Sequence, residues 1–353
     1  MKRHLLGYVF ALIFLMASIA QAQVEKCHIS LYDGELIRNA TITKMGRDAL
    51  IVDVGGSSDK VYVGNISSIT FVSEPAELKE VRNYLTDSRF EDMLDTLKII
   101  DPGQLSVNMK KEVEYLRVRA AAGLAFNGAL SIPEALKVMD KYFSSKENLE
   151  YYRFYELSEL YANLNILQGS EEALKKAEQA FGAMTKAEKS PILKARGLLG
   201  VGNIALKKGD AEKAEKAFKM VLTMVKDQEV EGVRAEMEVR SRCGIASAHV
   251  LEGKTSAAIT DIQKIFSENL ISAEDPINAH LYNTLGNAQM KAGKPKDAAV
   301  SYMHTHLLYN GNKQQHTEAL DALIKIFREE LRDEKRALEL EEIKKSRYSA
   351  KKG

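Results

Sequence analysis

An anchor residue recurs about every forty positions over most of this chain, and this repeat limits the possible folds more than any other feature. The anchors are Met93, Ala135, Ala173, Ala214, Ala258, Ala298 and Ala337, separated by 42, 38, 41, 44, 40 and 39 residues. Four positions beyond the anchor stands an apolar residue: Leu97, Met139, Ala177, Phe218, Ile262 and Tyr302. Only Glu341, in the last copy, breaks the pattern. Twelve positions before it come Gly123, Gly202, Ala246 and Gly286; five before it come Gly209, Gly253 and Gly293. Self-similarity at a fixed period marks stacked supersecondary units, none of which can bury its apolar face alone.

The pattern within a copy describes a helical hairpin. Two helices that cross closely need small side chains at the crossing, which sets Gly202 against Ala214 with Phe218 filling the groove beside them. Gly209 ends the first helix in the left-handed conformation that glycine adopts cheaply, and Asp210 then caps the second. "SIPE" at 131–134 has the form of a capping box with an early proline.

Three segments carry a family resemblance. They are "LLGVGNIALKKGDAEKAEKAFKMVL" (198–222), "YNTLGNAQMKAGKPKDAAVSYMHTHL" (282–307) and "CGIASAHVLEGKTSAAITDIQKIF" (243–266). They resemble the tetratricopeptide repeat. The resemblance covers residues 76–350 and is strongest over 195–307. It implies a mainly α fold, a superhelix of about six to seven α-α hairpins. The usual period is about 34 residues, so here the helices or loops must be longer. In the last copy "ELEEIKKSR" leaves one face polar, as a terminal repeat without a neighbour requires, and the basic tail "KKSRYSAKKG" is expected to fray.

Residues 24–73 alternate apolar and polar instead. Ile29 and Leu31, Ile37 to Ile42, Leu50 to Val54, Val61 and Val63, and Thr70 to Val72 mark short strands, separated at "DG", "MGRD", "GGSSD" and a tight turn at "NISSI". This order resembles an SH3-like or Sm-like barrel, in which closure hides the sheet edges. The module is either a docking domain or a structural cap on the solenoid.

The first 22 residues have the form of an export signal of bacterial style. Lys2, Arg3 and His4 precede an apolar run, and "AQA" supplies a cleavage site after Ala22. The run from Leu5 to Ala20 has 16 residues, short for a bilayer span of about 20. The mature chain is therefore expected in the periplasm or outside the cell. Its two cysteines, Cys27 and Cys243, are expected as buried thiols in preference to a disulfide.

The remaining chemistry is sparse. With 50 Lys+Arg against 49 Asp+Glu, the chain offers no basic stripe for nucleic acid. Phosphate loops, nucleophile elbows and zinc-protease motifs do not occur, so neither catalysis nor a cofactor is expected. His304 and His306 diverge by about 200° on a helix, which disfavours a shared metal ion and leaves solvated or capping roles. The aromatic run 151–161 is expected to pack in the core.

What remains is a binding surface. In stacked hairpins the first helices line the concave groove. Positions 18, 15 and 11 before the anchor are its candidate residues: Arg196, Leu199 and Asn203; Arg240, Cys243 and Ser247; His280, Asn283 and Asn287. The Arg, Asn, His and Ser side chains offer hydrogen bonds to an extended peptide or a carboxylate. Some tetratricopeptide proteins grip a terminal carboxylate with Lys and Asn here. Leu199 stands where that Lys would be, which argues against such a clamp. The expected function is a non-enzymatic, exported scaffold or adaptor for a protein or peptide, associated with the envelope. The alternative is a self-associating structural envelope protein.

Overall fold

The computed structural model describes residues 25–187, 189–226 and 231–348. The expected export signal, residues 1–22, and the last five residues of the tail lie outside them.

Five strands come first: β1 (Lys26–Leu31), β2 (Leu36–Lys44), β3 (Ala49–Val54), β4 (Ser57–Tyr62) and β5 (Ile66–Phe71). They form one antiparallel sheet in the order β4-β3-β2-β1-β5. The alternation works as expected: Cys27, Ile29, Leu50, Val52, Val61 and Phe71 are buried. The tight turn is displaced from its expected place. It falls at Val63–Asn65, as a single 3-10 turn, and Ile66 already pairs in β5. That turn carries the chain from one sheet edge to the other. Strands β4 and β5 are the two edges, and no ladder joins them, so the expected closed barrel is present as a five-stranded sheet.

Among the described residues the helices pair as seven hairpins. Their elements are α1 (Ala76–Thr86) and α2 (Phe90–Ile99); α3 (Val107–Asn127) and α4 (Ile132–Phe143); α5 (Phe154–Gln168) and α6 (Glu171–Met184); α7 (Pro191–Lys207) and α8 (Ala211–Val225). Then come α9 (Glu231–Leu251) and α10 (Thr255–Glu268); α11 (Ile277–Lys291) and α12 (Pro295–Leu308); α13 (Lys313–Lys325) and α14 (Glu334–Tyr348). A one-turn helix, Lys146–Leu149, interrupts the link from α4 to α5, and a π-turn, Ile326–Glu330, extends α13. The extra length of the repeat lies partly in long first helices, since α3 and α9 have 21 residues each.

Every anchor lies in the first turn of a second helix, and all seven are buried. The residues four beyond them are buried too, except Glu341. Asp210 caps α8 by accepting from the Lys213 amide at 3.0 Å, Gly209 has φ +78°, and Ser131 and Glu134 form the capping box of α4. One contact differs from expectation. Gly202 faces the Phe218 ring, where a Cβ would sit 2.6 Å from it; a Cβ on Gly244 of the next hairpin would sit 2.4 Å from the same ring. The aromatic ring therefore occupies the space that both glycines vacate. Ala214 is buried beside this junction, and Ala214→Leu should cost roughly 1–3 kcal/mol by overpacking. Urea denaturation of the two proteins checks it.

The sheet does not stand apart from the solenoid. One continuous apolar core runs from Cys27 and Leu50 through Leu78 and Met93 to Leu164. The Glu25 carboxylate accepts from Ser106 and Asn108, Tyr155 donates to Asp48 at 2.7 Å, and Gly64 lies against Ser190. Ser106 and Ser190 are the N-caps of α3 and α7. The sheet thus rests on the N-terminal ends of α3, α5 and α7. Cys27 and Cys243 are free and buried in separate cores, and burial pushes the Cys27 thiol up to about 12.

Candidate functional site: the first-helix layer

The curvature follows from which helices touch. The first helices α3, α5, α7, α9, α11 and α13 pack side by side in sequence, and each second helix wedges between its own first helix and the next. A stack whose first helices adjoin directly curls toward them, so they form the inner layer. The curl is tight enough for α13 to meet α3, with the Lys313 side chain against Gly128.

The nine groove positions divide into two kinds. Arg196, Ser247 and His280 are half-buried, and Asn203, Arg240 and Asn287 are exposed. Leu199, Cys243 and Asn283 are buried. Helix geometry gives the reason. Positions 18 and 11 before the anchor lie within about 20° of each other around the axis, whereas position 15 is turned about 60° away, into the neighbouring helix. Asn283 is therefore corrected from groove ligand to junction residue: it is 1% exposed, and its amide donates to Gln315 of α13 at 2.9 Å and 3.0 Å. Of these nine positions, two per helix remain open, and they line up as a narrow stripe.

The stripe's charges are matched by carboxylates on the same or an adjacent helix. Arg196 pairs with Glu159 of α5 at 3.1 Å, and Arg240 with Glu236 of its own helix at 2.8 Å. Asn287 donates to Glu318 of α13 at 3.1 Å and accepts from Tyr302 at 2.8 Å. Further along, Arg119 of α3 lies 3.4 Å from Glu156 of α5. The Ser247 hydroxyl donates to the Cys243 carbonyl at 3.0 Å. The His280 imidazole is pushed up to about 9, chiefly by its electrostatic coupling to Cys243 and against the effect of burial. Asn203 makes no side-chain hydrogen bond among the described residues.

The glutamates Glu159, Glu236 and Glu318 were missed from the sequence. Glu236 was visible as the partner four residues before Arg240, the ordinary helical ion-pair spacing. Glu159 and Glu318 pair across helices, and no spacing within one repeat reveals that. The tyrosines of 151–161 pack as expected: Tyr151 and Tyr152 are buried. His304 and His306 are half-buried, not simply solvated; His304 stacks on Tyr282 at 4.4 Å, and His306 bonds to His316. No group of three or more His, Cys, Asp or Glu suited to a metal ion occurs among the described residues.

No protein-family model matches the chain, and no curated protein matches it. Solved structures do. A Rap protein complexed with competence and sporulation factor superimposes with a TM-score of 0.53 at 14% identity, over 77% of this chain and 75% of that one. The apo form of RapI covers 78% of this chain and 77% of its own at 15% identity and a TM-score of 0.44. A tetratricopeptide repeat protein from Parabacteroides merdae covers 70% and 97% at 16% identity and a TM-score of 0.40. The last two overlap too loosely to support an argument. The first likeness, at that identity, concerns the fold alone, and it agrees with the hairpins and their order. The chain has a tetratricopeptide-like helical-repeat fold preceded by a five-stranded antiparallel sheet.

Proposed function

We propose that this protein is a non-enzymatic scaffold or adaptor that holds a protein or peptide along its inner helix layer. The observation that carries the reading is the stripe itself: Arg196, Asn203, Arg240, Ser247, His280 and Asn287 present open polar groups along three successive repeats. A curved layer of rigid helices offers such groups at regular intervals, which suits an extended chain. A supporting parallel is a Rap protein whose structure is that of a complex with competence and sporulation factor. The stripe's charges are already paired internally, so specificity rests on hydrogen bonding and shape more than on net charge.

The place of action in this proposal is the periplasm or the cell exterior, with envelope association. It is supported by the basic start, apolar run and "AQA" of the first 22 residues. Amino-terminal sequencing of the mature protein should begin at Gln23. A cytoplasmic protein that keeps Met1 removes this part.

The groove is tested with the triple variant Arg196→Ala, Asn203→Ala, Arg240→Ala. Partner recovered from envelope extract by affinity capture should fall by at least about tenfold, a loss near 1.4 kcal/mol, while the melting temperature holds. Unchanged recovery moves the binding surface elsewhere. If sedimentation instead shows the chain associating with itself through these residues, the partner is another copy.

A further inference from the structure

The junction of the last two hairpins holds a cluster that the groove does not use. His306 lies in the last turn of α12, His316 in the first turn of α13, and Tyr348 at the end of α14. His306 Nδ1 and His316 Nε2 are 2.8 Å apart. His316 Nδ1 and the Tyr348 hydroxyl are 2.6 Å apart. The imidazole planes are inclined by 11° with centroids 5.1 Å apart, the geometry of two rings meeting end to end through one N–H···N bond. His316 is completely buried. One unbroken chain of hydrogen bonds thus ties together three helices.

Such a chain tolerates one proton per contact. Neutral His316 donates from one nitrogen and accepts at the other, so it satisfies both neighbours in either direction. With an added proton on both rings, so that each is a cation, two N–H groups face each other and the bond is lost. The other charged groups around the cluster are cationic. Lys313 of α13 lies 5.7 Å from the centre of the Tyr348 ring. Arg347 of α14 donates to the Asn310 carbonyl and side chain at 3.0 Å. From α12, His304 stacks on Tyr282 and not on the cluster. No carboxylate bonds or ion-pairs with either ring among the described residues, so nothing compensates an added charge.

We propose that this imidazole–imidazole–phenol chain is a proton-operated latch on the last helix. With neutral rings it holds α14 against α12 and α13; double protonation releases α14. Release uncovers the apolar face of α13, where Leu320 and Leu323 share a core with Ala337 and Leu340. The open end of a solenoid is a surface that accepts another helix.

The direction follows from linkage. Burial and the Arg347 charge hold His306 below the ordinary imidazole value and His316 down to about 4. The docked state then binds fewer protons than the released one. Docking is at full strength above about pH 6.5 and weakens as pH falls toward about 4, by about tenfold per pH unit for each proton.

Hydrogen exchange of the full mature chain tests this between pH 7.5 and 4.5. Corrected for intrinsic rates, residues 334–348 should exchange faster below pH 6.5, by about tenfold per pH unit for each proton taken up on release, while α9 and α10 keep their protection. The double variant His306→Gln, His316→Gln should remove that extra dependence. Imidazole NMR of the unmodified protein gives a second reading should the variant not fold: His316 should stay neutral at pH 6, and His306 should titrate below the ordinary imidazole value. Flat exchange in α14, dependence that survives in the double variant, or both rings titrating near 6.5 would each overturn the latch.

Discussion

Replacing Phe218 with alanine should lower stability by about 3–5 kcal/mol, among the largest effects of any single change in the chain. The ring is 1% exposed and sits where two repeats meet. Gly202 of its own hairpin and Gly244 of the next both lack the Cβ that would strike it. Neither glycine can grow a side chain to refill the space, so the cavity remains. Removing the ring also loosens the contact between α8 and α9. A repeat array couples each unit only to its neighbours, so the loss should appear first as a separate early transition of the middle hairpins. Urea denaturation followed by circular dichroism measures the free energy, and hydrogen exchange locates it. A change below about 1 kcal/mol would mean that the hairpins are not in this register.

Glu112→Ala should be comparably damaging. Glu112 is 1% exposed, accepts from Tyr151 at 2.5 Å and Tyr152 at 3.4 Å, and lies 3.5 Å from Arg82. Arg82 also pairs with Glu74 at 2.5 Å. These contacts tie α3 to α1, to the segment after β5 and to the start of α5. Removing the carboxylate leaves a buried guanidinium with one partner fewer and a buried phenol without an acceptor, at a cost of about 3–5 kcal/mol. Glu112→Gln keeps an acceptor for Tyr151 and should cost less, about 1–3 kcal/mol. Equal effects of the two substitutions would show that packing, not the charge and its hydrogen bonds, holds this junction. Thermal and urea denaturation of both variants decide the matter.

The groove residues show where reading from sequence ends. Counting back from Ala214, Ala258 and Ala298 found the correct helices, because a first helix and its anchor belong to one hairpin and move together. It erred at Asn283, because a helix turns 100° per residue and, of the three positions counted, only the pair seven apart lies nearly in line on one face. Glu159 and Glu318 escaped because their partners stand on other repeats. The same limit explains the histidines. "HTH" places His306 on a helix, but the ring that meets it, His316, comes from the next hairpin, and the phenol from the basic tail that was expected to fray.

By itself the sequence determined the hairpins and their register. Small residues at a forty-residue period, glycines at the turns and alternating apolar strands are local demands, and each acts within a few residues of its cause. The tertiary structure alone decided how far the superhelix curls, so that α13 returns to α3, and that the sheet shares a core with the helices instead of standing off as a separate module. Those outcomes depend on small angles between neighbours, summed over seven hairpins, and no single repeat encodes such a sum.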